Sequence, residues 1–330
     1  MGNRRRRESQ TKRPGPSFEG RYIWHSAADD RELADACVDI QAGRYLSARE
    51  LLRATRDDFG LRAHRSLVLA SEAWDSDLTE RWVAEEPSAE SGLLWARVAV
   101  VRALRAADSG DARAAALGRI ALTACNQAAT YEPRDPTPWV AQLALARTQP
   151  IHDAAPRGLL TAPTGPWRLF SHILRLDPWH REAHHRFLSV YFPRYGGKAS
   201  EVWDVAAFLS QRAPEGSGLG LLPLVALVEK YDPSAPLAYK TWEQPAWSAT
   251  VMRVYHKWLP QVADYRFTPV VDLSYLAHAL VMARKEFEAR AAFMLMGPYA
   301  SRMPWSAFGP PEEQLTKARA ACGLNVPGGS

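Results

Sequence analysis

The sequence predicts an all-α protein, and three observations carry that prediction. Apolar residues recur at helical spacing in segment after segment, no run alternates β-branched residues around hairpin turn chemistry, and glycine and proline fall between the periodic stretches. With 330 residues, 47% of them hydrophobic and 23% charged, the chain can bury a sizeable core. That composition excludes wholesale disorder, a collagen-like repeat and a disulfide-stapled miniprotein.

Residues 1–20 read as a disordered basic tail. Within residues 1–13, Arg4, Arg5, Arg6, Arg7, Lys12 and Arg13 stand against the single Glu8, and Pro14-Gly15-Pro16 follows without apolar periodicity. The formal net charge of +5 therefore belongs to residues 1–13, and the rest of the chain, residues 14–330, is neutral. A neutral body gives no general reason to expect nucleic-acid binding; the tail alone is a weak, salt-sensitive attractor of polyanions. A segment that buries no surface has nothing to offset its ordering entropy. Deleting residues 2–16 is thus expected to leave the thermal midpoint unchanged in calorimetry, and a drop of several degrees would show the tail to be docked.

From Asp29 onward the period is helical. Leu94, Val98 and Val101 mark a very apolar helix interrupted by Arg97, Arg102 and Arg105. Leu117, Ile120, Ala121, Ala124 and Ala128 form one stripe, and the pattern returns in Leu169, Ile173 and Leu176, in Trp179, Ala183, Phe187 and Val190, and in Val202, Ala206 and Leu209. Asp135-Pro136 and Asp177-Pro178 each place a capping carboxylate before a proline at the first helical position. Gly43, Gly60, Gly110 and Gly196-Gly197 are expected terminators. Residues 149–166 hold four prolines and read as an inserted loop, dividing the body into possible sub-halves 27–148 and 160–322. Residues 213–245 are irregular, with one helix expected from Leu219 to Glu229. Phe267–Leu273 is the sole strand candidate.

Two joints, Tyr131-Glu132-Pro133-Arg134-Asp135-Pro136 and Leu176-Asp177-Pro178-Trp179-His180-Arg181, each end one apolar helix and start another. With Pro133 as a closing proline, Ala121 and Ala128 take small packing positions and Trp139 opens the next unit. With Pro178 likewise, Phe170, Phe187, Leu188 and Tyr191 take core positions. Gly43-Arg44-Tyr45-Leu46-Ser47-Ala48 supplies a turn glycine, aromatic and alanine, and Ala283-Arg284-Lys285-Glu286-Phe287 is a degenerate version. In these features the chain resembles the tetratricopeptide (TPR) family of 34-residue helix-turn-helix repeats, over about 27–210. Its Pro193-Arg194-Tyr195-Gly196-Gly197 turn is similar to that of uncharacterised bacterial TPR-like proteins. The resemblance departs at the 45-residue spacing from Pro133 to Pro178 and at Pro166, where an alanine belongs.

The resemblance implies antiparallel helix pairs stacked as an α-solenoid with degenerate repeats, and a protein–protein interaction scaffold with a concave groove for a partner peptide or helix. The concave positions then fall on Thr137, Val140, Ala141, Ala144 and Arg147, and on Glu182, His185, Arg186 and Ser189. Arg147, His185, Arg186 and Ser189 are the expected peptide-binding residues, with an acidic or carboxylate-terminated peptide as ligand. The alternatives are an enzyme with an inter-helical pocket and polyanion binding through the tail.

No catalytic constellation can be assembled. His180 and His184 share a helix face at i and i+4 but lack the carboxylate of HExxH and a third ligand, so no metal is expected there and a partly exposed helix surface is. Gly196-Gly197-Lys198-Ala199-Ser200 lacks the spacing of a phosphate loop and reads as a tight turn. Cys37, Cys125 and Cys322 are dispersed and odd in number, which suggests buried reduced thiols. Without a secretory apolar region, a membrane-spanning run or a cofactor motif, a cytoplasmic protein without cofactor is expected.

Overall fold

Side-chain caps and left-handed turns mark out the helices. The computed structural model describes residues 22–230 and 240–324; among them are 16 α-helices and no strand longer than an isolated bridge. The basic tail with Arg4, Arg5, Arg6 and Arg7 lies outside the described residues. The first half comprises α1 (Arg31–Gln41), α2 (Leu46–Arg53), α3 (Phe59–Ala73), α4 (Leu78–Glu85), α5 (Ala89–Asp108), α6 (Ala114–Tyr131) and α7 (Thr137–Ala144). There follow α8 (Trp167–Leu176), α9 (Arg181–Ser189), α10 (Ala199–Arg212), α11 (Leu222–Glu229) and α12 (Lys240–Glu243). The chain continues through α13 (Pro245–Lys257), α14 (Val270–Met282), α15 (Glu286–Met296) and α16 (Pro311–Ala321).

Asp30 and Asp58 cap α1 and α3, their carboxylates accepting from Leu33 N–H at 3.1 Å and Leu61 N–H at 2.9 Å. Ser88 and Ser91 exchange side chain-to-backbone bonds in a capping box before α5. Four helices end in one geometry. After α1, the N–H of Arg44 donates to Asp39 O and that of Gly43 to Ile40 O, with Gly43 at φ +76°. The same pair of bonds closes α5 around Gly110, α14 around Arg284 and α16 around Gly323, all at positive φ. Three of these turns join the packed pairs α1–α2, α5–α6 and α14–α15. Five residues after the positive-φ position, Ala48 and Ala289 are both fully buried where the paired helices touch. Phe287, by contrast, points outward and is 84% exposed.

Several expectations are corrected by the local chemistry. Gly60 terminates nothing; it is the second residue of α3, whose cap is Asp58. The strand candidate opens a helix instead: Pro269 precedes α14, whose residues from Leu273 to Leu280 are buried. The 219–229 run divides into a 3-10 turn, Gly218–Leu221, and α11. Neither Pro136 nor Pro178 is a first helical residue: α7 starts at Thr137 with Pro136 at its cap position, and α9 starts at Arg181 and is capped by His180 Nδ1, which accepts from Ala183 N–H at 3.2 Å. Gly197 has a packing role: a Cβ there would lie 2.1 Å from Tyr191 O.

Three apolar cores follow one another along the chain. The first joins α1–α4 to Leu94 and Val98 of α5. The second joins α5 and α6 to Ala141 and Ala144 of α7. The third runs from Val140 and Leu143 of α7 through α16, and includes Phe170, Phe187, Leu188 and Tyr191. Because α7 belongs to two cores, packing is continuous past the proline-rich insertion. That insertion is a surface excursion closed by reciprocal 3.1 Å bonds between Asp153 and Gly165 and tied to α10 through Thr161 and Asp204.

Two long-range contacts set the site. Helix α3 packs on α5, α5 on α7, α7 on α9, and α9 packs back on α3. The segment before α1 reaches the far end of the chain: Ile23 exchanges backbone bonds of 3.0 and 2.9 Å with Pro298 and Ala300. Tyr22 Oη lies 3.3 Å from Thr316 Oγ1, and Asp29 accepts from Thr268 N–H and Oγ1 at 2.8 Å.

Candidate functional site

The face enclosed by α3, α5, α7 and α9 is charged rather than apolar. On α3, Arg62, Arg65, Ser66, Leu69 and Ala73 occupy one buried helical stripe at i, i+3, i+4, i+7 and i+11. Arg97 sits in the buried stripe of α5 between Leu94 and Val98. Each arginine meets a carboxylate from a distant segment. Arg62 Nε donates to Asp135 at 2.6 Å, with Nη1 on Leu52 O at the same distance. Arg65 holds Asp30 through Nε at 2.8 Å and reaches Glu32 at 3.0 Å. Arg97 forks onto both oxygens of Glu182 at 2.7 and 2.8 Å. Arg181 forks onto Asp272 of α14, with Nε at 2.6 Å.

The cluster is sealed at its base and open at its rim. Arg62, Arg65 and Arg97 are at most 2% exposed, whereas the Arg181 side chain is 44% exposed and His64 beside it is exposed. Glu182 is the shared element: Arg186, one turn on, also donates to it, at 3.2 Å. Burial alone would raise the Glu182 carboxyl, but the Arg97 and Arg186 charges overcome it and hold it at about 2. Desolvation, then the Arg181 charge, depress His185 well below the usual imidazole value. His185 Nε2, Arg97 Nε, Arg65 Nη1 and His180 Nε2 are buried without hydrogen-bond partners. Two guanidinium groups thus share one carboxylate beside the unpartnered His185 imidazole, an arrangement suited to receiving an anion.

The structure separates the residues expected to line a groove. Thr137, Val140, Ala141 and Ala144 are buried, so their helix face is core and offers no surface. Arg147 donates to Asp108 at 2.8 Å and lies 4.3 Å over the Tyr195 ring. Asp108 is three turns of α5, roughly 16 Å at 1.5 Å per residue, from Arg97, so Arg147 and Arg186 answer to different partners. Ser189 turns its hydroxyl back onto Arg186 O at 2.7 Å. Only Glu182, His185 and Arg186 of the expected set face the charged cluster. Arg62, Arg65, Arg181, Asp30 and Asp272 are members that sequence reasoning missed; the signal for the first two was arginine recurring in phase within an apolar stripe.

His180 and His184 are each 1% exposed, so the expected partly exposed surface is corrected to a sealed one. His184 Nδ1 lies 3.0 Å from His180 O, and its ring is edge-on to Phe170 at 5.2 Å. A second concavity, of about 190 Å³, lies between α14 and α16 and is mostly apolar, lined by His278, Met282, Trp305, Phe308 and Lys317. Of the tryptophans, Trp82, Trp242, Trp258 and Trp305 are fully buried and serve packing. Among the described residues no helix is long and apolar enough to cross a membrane.

Fold and site together define an all-helical protein of packed helix pairs with a charged internal face. Comparison with known proteins finds no matching family model, no similar curated protein and no similar solved structure.

Proposed function

We propose that the chain is a TPR-like, protein-interaction scaffold that receives an acidic or carboxylate-terminated segment of a partner at the rim formed by His64, Arg181, His185 and Arg186. The observation that carries the reading is the sharing of Glu182 by Arg97 and Arg186, which leaves positive charge unmatched next to the unpartnered His185 Nε2. A carboxylate supplies the second acceptor that this pair of guanidinium groups lacks. The helix pairs closed by equivalent left-handed turns support the repeat character.

The test is binding of a panel of Asp- and Glu-rich peptides, with free and amidated C termini, followed by fluorescence anisotropy. A hydrogen bond to a charged group contributes about 1.5–3 kcal/mol. Arg186→Ala is therefore expected to weaken capture at least tenfold, while Arg147→Ala leaves it unchanged, with helicity intact in both. Equal binding by wild type and Arg186→Ala, or loss confined to Arg147→Ala, rules out this rim.

A further inference from the structure

Three side chains from three segments converge on the outer side of the first core. His25 lies in the turn before α1, Cys37 in α1 and Glu72 near the end of α3. A ring nitrogen, a thiol sulfur and a carboxylate oxygen from them all lie within 4.8 Å of one another. Among the described residues this is the one such meeting of three His, Cys, Asp or Glu side chains. We propose that His25, Cys37 and Glu72 bind a zinc ion that clasps the segment before α1 to α1 and α3.

The donor set selects the metal. A thiolate with an imidazole and a carboxylate suits Zn²⁺, whereas Mg²⁺ and Ca²⁺ take oxygen donors throughout. Metal–ligand bonds of about 2.0–2.3 Å around a tetrahedral centre put ligand atoms roughly 3.3–3.8 Å apart. An inward rotation of about 1 Å by the exposed His25 ring and the half-buried Glu72 closes the difference. The surroundings are already arranged for it. Gln41 Nε2 donates to one Glu72 oxygen at 2.6 Å, orienting the carboxylate and leaving its other oxygen for the ion. His25 Nδ1 accepts a long, 3.2 Å bond from Ala27 N–H, which a metal ion displaces to take the ring's lone pair. Cys37, 1% exposed, supplies the fixed corner. Binding forms the Zn–S bond and releases the thiol proton to solvent. Three protein ligands leave a fourth position for water or a donor from a partner.

The clasp has a consequence for the whole fold. The segment it would hold is the one that carries the Ile23–Tyr299 pairing and the Asp29–Thr268 bonds, so zinc at this point couples α1 and α3 to the C-terminal helices.

The experiment uses untagged full-length protein, stripped with chelator and titrated with zinc sulfate against a chromophoric competitor. One Zn²⁺ per chain and a zinc-dependent rise in thermal midpoint are expected, because an ion that binds only the folded state stabilises it. Cobalt(II) should give a thiolate-to-metal absorption band that Cys37→Ser lacks. His25→Ala alters an exposed ring and keeps the fold, so it separates metal loss from misfolding. Its affinity should fall by more than the roughly 10–100-fold typical of losing an outer-shell partner, and its midpoint should no longer respond to zinc. Substoichiometric zinc in the wild-type protein, or wild-type affinity in His25→Ala, overturns the proposal.

Discussion

Asp135→Ala is expected to lower stability by about 3–5 kcal/mol, the usual cost of stranding one member of a buried ion pair. Its partner Arg62 and Asp135 itself have side-chain exposures of 1% and 3%. The carboxylate also accepts Thr137 N–H at 2.8 Å, so the substitution leaves the first backbone N–H of α7 without its acceptor as well. Arg62 would keep Leu52 O but lose its counter-charge. Adding Arg62→Met to Asp135→Ala should recover much of the loss, since the buried charge is then gone. Urea unfolding of the four proteins in a double-mutant cycle measures this directly. A loss below about 1 kcal/mol for the single variant, the value of a solvated pair, would show the pair to be hydrated.

Acid should destabilise the fold well before its carboxylates protonate. Burial lowers His278 from 6.5 to about 3, in a box made by Trp242, Trp305 and Phe308. The unfolded chain therefore takes up a proton near pH 6.5 that the folded chain refuses until near pH 3. Stability from this group is complete above pH 6.5 and drains away as the pH falls to about 3, at about 1.4 kcal/mol per pH unit. His180, His184 and His185, all depressed chiefly by burial, act in the same direction. Glu182 adds a further loss between 4.5 and about 2. Unfolding free energy measured from pH 7.5 downward should be less steep in His278→Leu by about one proton. Identical slopes in the two proteins would show that the imidazole is already protonated in the folded state.

The helical period made the apolar half of this structure readable. Phe187 falls in the core as its spacing requires, and Phe170, Leu188 and Tyr191 as the repeat register implies, whereas Ile120 and Trp179, placed in the same kind of stripe, are 51% and 44% exposed. The 283–287 turn has the geometry of the 43–48 turn even though Arg284 stands where the first has glycine. The charged face was not readable for a physical reason. Arg62, Arg65 and Arg97 lie in phase with apolar neighbours, but an arginine in an apolar stripe is tolerable only if a carboxylate arrives from elsewhere. Those carboxylates come from 73, 35 and 85 residues away, a distance that no local pattern encodes. The His180–His184 pair was visible as a spacing. Its burial depends on the turn that moves the start of α9 to Arg181, which the Asp-Pro signal alone places too early. The His25–Cys37–Glu72 group escaped notice because its members meet only once α3 folds back on α1.

The docking of Tyr22 and Ile23 beside Thr316 and Tyr299 makes the order of segments along the chain separable from the architecture they build. Tyr22 and Leu324, the outermost described residues, are close to the same helix: the Arg319 guanidinium lies 5.9 Å from the Tyr22 ring and Arg319 O accepts from Leu324 N–H. A short linker between them, with new ends opened at the exposed Leu160 of the proline-rich excursion, yields a circular permutant in which every helix keeps its neighbours. In that permutant the Tyr22–Thr316 contact, 294 residues apart along the present chain, becomes a local one, and the α7–α8 junction becomes the closing contact.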